Sequence, residues 1–377
     1  MPQKDLHDKP FDEGTITKLE IFENYAKEWI PTFVMSGYKE IWIFDFFAGT
    51  GYDKKGIAGS PIRILSQIKN QIGNIIERKT QINVCFNEYD KNKYQLLKES
   101  CNCFLSENTD LGRAEIKIHF RNADFADLFP KTLSTIQKYP SLVYLDQNGM
   151  KFLSNEYFLA LEKSKITDFL YFLSSSYFIR FGETQAFQGN ITIDISRARQ
   201  NPYKYIHKSI LEQLREKLPK DTKTLLYPFT IKKGTNVYGI IFGASDPRAV
   251  DKFLKTAWEK NNINGEANFD IDDDINKSQL DIFEGKKPTK IEKFSLSLRQ
   301  NILDKTIKNN KDVFDFTLRQ GHIGLHAVNE IKKMKKEGLI YYPEKSPLIN
   351  YEQVYKNNRI VNFEIIESNE NNKNRMD

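Results

Sequence analysis

IWIFDFFAGTG, residues 41–51, decides the reading of this chain. Four β-prone apolar residues form a buried strand, Asp45 closes it, and Ala-Gly-Thr-Gly follows. Glycines placed there let the backbone turn tightly and approach a ligand with no Cβ in the way. The spacing D-x-x-x-G-x-G, from Asp45 through Gly49 to Gly51, sets an acid just ahead of the loop. It differs from the dinucleotide fingerprint G-x-G-x-x-G, because Lys54 stands where the third glycine belongs. The stretch is a candidate nucleotide-cofactor loop.

Three more strand ends follow in order. Gln81–Phe86 is β-rich and runs into Asn87-Glu88, where a carboxylate can accept from both hydroxyls of a ribose. Between the two, Tyr52–Gly59 makes an extended loop before a helix expected to start with Ser60 as N-cap and Pro61 as first residue. Ala114–Phe120 leads to Asp124, and Ser141–Leu145 leads to Asp146-Gln147-Asn148-Gly149. Singly, each acid also reads as a cap or turn residue. In series, Asp45, Glu88, Asp124 and Asp146 are what an open α/β sheet needs to line one crevice. Asp168–Ser174 reads as a fifth strand, and Leu225–Lys232 with Asn236–Gly243 as a hairpin turning at Lys233-Gly234-Thr235. Ahead of the sheet, Leu19, Phe22, Ala26, Trp29 and Phe33 mark one face of a helix over 15–33, expected on the sheet edge.

A late antiparallel hairpin after five parallel strands resembles the sheet of class I S-adenosylmethionine-dependent methyltransferases. More specifically, the chain resembles the three-Cys-motif partner (TcmP) family through DFFAGTG and AGSPIR (58–63), FNEYDK (86–91), YLDQNG (144–149), SSSYFIRF (174–181), NVYGIIFGASDP (236–247) and GEANFDID (265–272). The resemblance implies S-adenosylmethionine as cofactor, held by Asp45, Phe46, Gly49, Thr50 and Gly51 at its amino-acid portion, Glu88 at the ribose and Asp124 at the adenine. It implies Asp146, with Gln147 and Asn148, at the place of the D/N-P-P-Y motif that accepts a hydrogen bond from an attacking amine. Gln147-Asn148-Gly149 lacks the prolines and the stacking aromatic of that motif. Asn201-Pro202-Tyr203 matches it in letters only, with no strand before it. The resemblance further implies a separate three-cysteine partner protein and a link to phage defence. A non-catalytic scaffold that recruits that partner to DNA or RNA is the alternative.

Composition frames the rest. A chain of 377 residues, 40% hydrophobic and 13% aromatic, suffices for two cores. No apolar run approaches a membrane span and the first residues are no signal peptide, so a cytoplasmic protein is expected. Cys85, Cys101 and Cys103 lack zinc spacing and read as reduced cysteines. Residues 286–377 carry 18 Lys or Arg against 12 Asp or Glu, a net +6 that equals the whole chain's.

The expected organisation is an α/β Rossmann-like class I methyltransferase sheet over 1–260, a polar linker over 261–290 and a winged-helix-like α+β domain over 291–377. Asp270, Asp272, Asp273 and Asp274 in the linker imitate a calcium loop without its glycine and closing glutamate. In the last part, a short helix over 313–319, a turn at Gly321–Gly324, a helix over 325–337 and strands over 339–342 and 360–365 resemble a winged helix-turn-helix. Leu325, Val328, Ile331 and Met334 would face its core, and Lys332, Lys333, Lys335 and Lys336 a nucleic acid. A protein-docking domain with a solvated lysine face is the other reading, and His322 with His326 read as turn residues, no third metal ligand being at hand.

Overall fold

A computed structural model describes residues 10–147, 154–174, 193–200, 203–277 and 287–366. Their backbone divides into two compact units, 1–261 with 266–269, and 262–265 with 270–377.

The first unit is built on a seven-stranded sheet, β1 (Glu40–Asp45), β2 (Gln81–Asn87), β3 (Ile116–Arg121), β4 (Ser141–Leu145), β5 (Thr167–Ser174), β6 (Leu225–Lys233) and β7 (Asn236–Ala244), in the order β3-β2-β1-β4-β5-β7-β6. The first five strands are parallel, and β7 runs antiparallel between β5 and β6. The sheet is therefore Rossmann-like, with the antiparallel hairpin expected at its end. β1 lies between β2 and β4, with Asp45 level with Phe86 on one side and Tyr144 on the other. The chain leaves β1 outward to β2 and β3, then crosses back to β4. This reversal opens a crevice at the carboxyl ends of β1 and β4, where open α/β sheets bind ligands. Pro228 is tolerated because β6 is the edge strand. The outer side of β6 is met by 266–269, through Thr230 N to Glu266 O and Asn268 N to Thr230 O.

Apolar residues on both faces of the parallel strands require a helical layer on each side. On one face lies α1 (Glu13–Met35), with α2 (Ser60–Asn70), α3 (Ile72–Arg78) and α4 (Lys91–Glu107). On the other, α5 (Phe125–Lys138), α6 (Asn155–Glu162), α7 (Ile195–Arg199) and α8 (Ile206–Glu216) enclose a core of Phe44, Phe46, Phe129, Phe158 and Phe169. The helix α9 (Pro247–Lys260) packs with α1. The N-terminal helix starts on the edge strand β6, as its pattern suggested, with Gly14 against Lys233 and Ile231, and then runs on across the sheet. Phe22 stacks on Tyr144 of β4 at 3.8 Å, and the Tyr25 hydroxyl donates to Asp168 of β5 at 2.6 Å, so α1 covers the middle of the sheet. Burying these large aromatics carries the helix from the edge onto the central strands.

The second unit contains α10 (Asp274–Lys277), α11 (Lys290–Leu303), α12 (Asn310–Arg319), α13 (Gly324–Lys336) and a pair of two-residue strands, β8 (Ile340–Tyr341) and β9 (Glu364–Ile365). The helix α11 had no place in the sequence reading, although Thr289 and Glu292 form a capping box at its start. On α13 the buried residues are Ala327, Glu330, Ile331 and Met334, while Leu325 is 61% exposed. The expected apolar stripe is thus rotated at its N-terminal end, because Glu330 turns inward to Arg299 of α11 at 2.7 Å. Lys332, Lys333 and Lys336 are exposed. Lys335 is not: its ammonium donates to Tyr342 O at 2.6 Å and lies 3.9 Å from the Tyr342 ring centroid. It latches the helix to the strand that follows.

Candidate functional site

The glycine loop is shaped by three features of its sequence. Gly49 and Gly51 adopt φ of 67° and 89°, a region L side chains rarely enter. A Cβ on Gly51 would stand 2.5 Å from Ser100 Cβ, since α4 crosses there and Ser100 donates to Thr50 O. Asp53 then closes the extended loop by accepting from Lys55 N, Ile57 N and Phe11 N, at 2.9, 2.7 and 2.8 Å. Gly59, not Ser60, caps α2, with Pro61 still in its first turn. The Ser60 hydroxyl instead donates to Asp45 at 2.6 Å.

Asp45 is fully buried. Its other oxygen accepts from Phe47 N at 3.2 Å. Burial raises its pKa to about 7, the charges of Asp146 and Glu88 adding to the effect and the two hydrogen bonds opposing it. Glu88 stands across the loop mouth. One of its oxygens accepts from Gly49 N at 3.1 Å and the other from Asp90 N at 2.9 Å, and burial again raises its pKa. The acid of β2 is thus joined directly to the glycine of β1, while Asp124 caps α5 through Ala126 N at 2.9 Å.

Asp146, one residue beyond β4, is paired with Lys18 of α1 at 2.5 Å. Gln147 is buried beside Tyr171. Asn148 and Gly149 lie outside the described residues, as does Asn201-Pro202.

Several residues central to this geometry carry a weak sequence signal or none. Asn87 is buried, and its amide donates to Phe46 O and Ala123 O and accepts from Ala123 N, each at 3.1 Å. One side chain therefore ties the turns after β1 and β3 to the end of β2. Its signal was a polar residue closing an apolar strand, overshadowed by the acid after it. Asn122 donates to Glu88 O and Tyr89 O, and Tyr89 beside Glu88 is 72% exposed. Tyr144 Oη is buried within reach of the charges of Asp146 and Asp45 and has no hydrogen-bond partner among the described residues. Lys18 carried no local signal, because only the packing of α1 brings it to β4.

In the second unit, His322 is buried against Phe294, ring centroids 4.2 Å apart, and its Nδ1 lies 3.0 Å from that of His326. No group of three metal-capable side chains occurs among the described residues. Cys85 and Cys101 are buried, which pushes both thiols up to about 12. No helix among the described residues is long and apolar enough to cross a membrane.

The two buried acids make stability depend on pH in a defined sense. Asp168, like Asp45, is raised to about 7, chiefly by burial. An acid whose folded pKa exceeds its unfolded value near 3.9 contributes stability that is present below the unfolded pKa and lost as pH rises through the folded one. Asp168→Asn keeps an acceptor for Tyr25 and removes the charge. The variant should therefore gain on the wild type by about 2–4 kcal/mol between pH 4 and 8, read from urea unfolding at several pH values. A difference independent of pH would show that Asp168 titrates normally.

No protein-family model matches the chain, and no curated protein matches it in sequence. Among solved structures it is similar to the O-methyltransferase TomG from Streptomyces achromogenes, involved in tomaymycin synthesis and determined in complex with S-adenosylmethionine. That match has 10% identity, covers 62% of this chain and 90% of that one, and has a TM-score of 0.30. The DszA carbon methyltransferase matches at 12% identity over 55% of this chain and 48% of that one, with a TM-score of 0.28. Both likenesses are slight, and the reading of the sheet rests on its strand order.

Proposed function

We propose that this protein binds S-adenosylmethionine at the carboxyl ends of β1, β2 and β4 and acts as a methyltransferase on a nucleic acid or a nucleic-acid-associated partner. The observation that carries the cofactor reading is the junction of Gly49 N–H with the Glu88 carboxylate at the switch point of a seven-stranded sheet ending in an antiparallel hairpin. A glycine turn that lets the backbone come close suits the amino-acid portion of the cofactor, a buried acid suits an ammonium, and a strand-end carboxylate suits ribose hydroxyls. The buried Tyr144 hydroxyl adds a polar group to that set.

The cofactor supplies an electrophilic methyl on a sulfonium. In this reading Asp45 balances the charge of its amino-acid portion, and Phe46, Gly49, Thr50 and Gly51 shape the loop around it. Glu88 takes the ribose, Tyr89 stacks on the adenine and Asp124 lies toward its amino group. Asp146, Gln147 and Asn148 belong to the acceptor side, where Asp146 holds the proton of the attacking group. Calorimetric titration with S-adenosylhomocysteine tests the site, and transfer of labelled methyl to mixed nucleic acids, with and without a three-cysteine partner, tests the reaction. Binding without transfer under all those conditions would favour the scaffold reading.

We read the second unit as a winged helix-turn-helix with α13 as the element that meets nucleic acid. Lys332, Lys333 and Lys336 supply phosphate contacts, whereas Lys335 holds the fold. Changing the first three to glutamine in the full chain should flatten the log–log salt dependence of duplex binding by roughly two to three units, at about 0.9 per phosphate contact. Lys335→Gln should lower the melting temperature and leave the slope nearly unchanged. If the triple change does not alter the slope, the face is a docking surface for the partner.

A further inference from the structure

The polar pair on the acceptor side has a definite hydrogen-bonding character. Lys18 and Asp146 meet at 2.5 Å with side chains only 13% and 18% exposed. The Lys18 ammonium also lies 4.5 Å from the Phe172 ring centroid on β5. Phe172 in turn stacks on Tyr238 of β7, at 5.7 Å and 18° between ring planes. An ammonium carries three N–H groups and no acceptor, and a carboxylate only accepts. The pair therefore presents a donor and an acceptor side by side, next to an aromatic wall.

That character selects among acceptors. A hydroxyl both accepts and donates, so it can take an N–H of Lys18 and give its own proton to Asp146. An exocyclic amine only donates, as adenine N6 and cytosine N4 do, and the acceptor that a nucleobase sets beside it is a separate ring nitrogen, whereas a hydroxyl plays both parts with one atom. An amine with no ring acceptor beside it would satisfy Asp146 and leave the Lys18 N–H groups that do not meet Asp146 without an acceptor, a mismatch that sites built around hydrogen bonds reject strongly.

We propose that Lys18 and Asp146 form the acceptor-binding dyad of this protein and that the acceptor presents a hydroxyl borne on a planar ring. The methyl-transfer reading supplies the reaction in which this binding would serve, and the binding itself can be tested apart from it. The ring lies toward Phe172 and Tyr238, its oxygen accepts from Lys18, and Asp146 holds its proton.

Two chromogenic probes of nearly the same shape provide the test: 4-nitrophenol, which offers a hydroxyl, and 4-nitroaniline, which offers an amine. Each is titrated into the full-length protein with and without S-adenosylhomocysteine, at a pH where the phenol is neutral. Wild type should bind the phenol about tenfold or more tightly than the aniline, the scale of one well-placed hydrogen bond to a charged group. Lys18→Met should bring the two affinities together, and Lys18→Arg should keep much of the preference. Asp146→Asn gives an independent readout of opposite sign. With the carboxylate gone, Lys18 favours the phenolate, so the yellow band of bound probe should appear at a pH lower by about one unit or more. Equal binding of both probes to wild type, an unchanged preference in Lys18→Met, or saturation by neither probe would overturn the dyad. Failure of wild type to bind S-adenosylhomocysteine would instead sink the cofactor reading, and the probe comparison made without it would still decide this one.

Discussion

Gly49→Val should abolish binding of S-adenosylhomocysteine while leaving the sheet folded. At a φ of 67° a β-branched residue is strained by about 1–2 kcal/mol, a cost a domain of this size absorbs. The local effect is larger. The loop can relieve the strain only by rotating the Gly49 peptide, which breaks its N–H bond to Glu88 and moves the carboxylate that joins β1 to β2. Loss of one charge-assisted contact, together with the space taken by the isopropyl group, should weaken binding by at least about a hundredfold, near 3 kcal/mol. Calorimetric titration beside a melting curve separates the two effects. Wild-type affinity in the variant would show that this turn is not a cofactor loop.

The second large effect is expected at Asn87. Asn87→Leu fills the same volume and leaves Phe46 O, Ala123 O and Ala123 N without the bonds that now join three strand ends. Buried polar groups deprived of partners cost about 1–3 kcal/mol each. A total of about 4 kcal/mol, out of a stability of roughly 5–15, should shift the urea midpoint down by about 1 M or more. Since this one side chain joins the turns after β1 and β3, binding of S-adenosylhomocysteine should weaken even where the variant is still folded. A loss below about 1 kcal/mol would mean that the three ends are fixed by the sheet alone.

These two sites differ in how far they could be read from sequence. Strands such as Ile41–Asp45 and Ser141–Leu145 are continuous apolar runs bounded by turn residues, and their existence and order follow from local pattern. The glycines of the loop were equally legible, because positive φ after a buried strand is a property of a few adjacent residues. Local pattern also misled in places. Ser60 has the chemistry of an N-cap, yet Asp45, itself deprived of water, is the stronger claimant for its hydroxyl. Leu325 fits the apolar period of α13, but the charge of Glu330, drawn in by Arg299, turns that helix differently.

The sequence by itself determined the parallel strands, the hairpin that ends them, the glycine turn and the series of strand-end acids, since each depends on residues near one another in the chain. Only the tertiary structure decided which polar groups meet. It brought Lys18 of the first helix to Asp146, set Asn87 beneath three strand ends, spent Lys335 on Tyr342 and confined Asp45 where its charge is costly. The physical reason is that hydrogen bonds and ion pairs reach only a few ångströms and depend on direction. Their partners are therefore fixed by how helices pack on the sheet, which no local period of the sequence records.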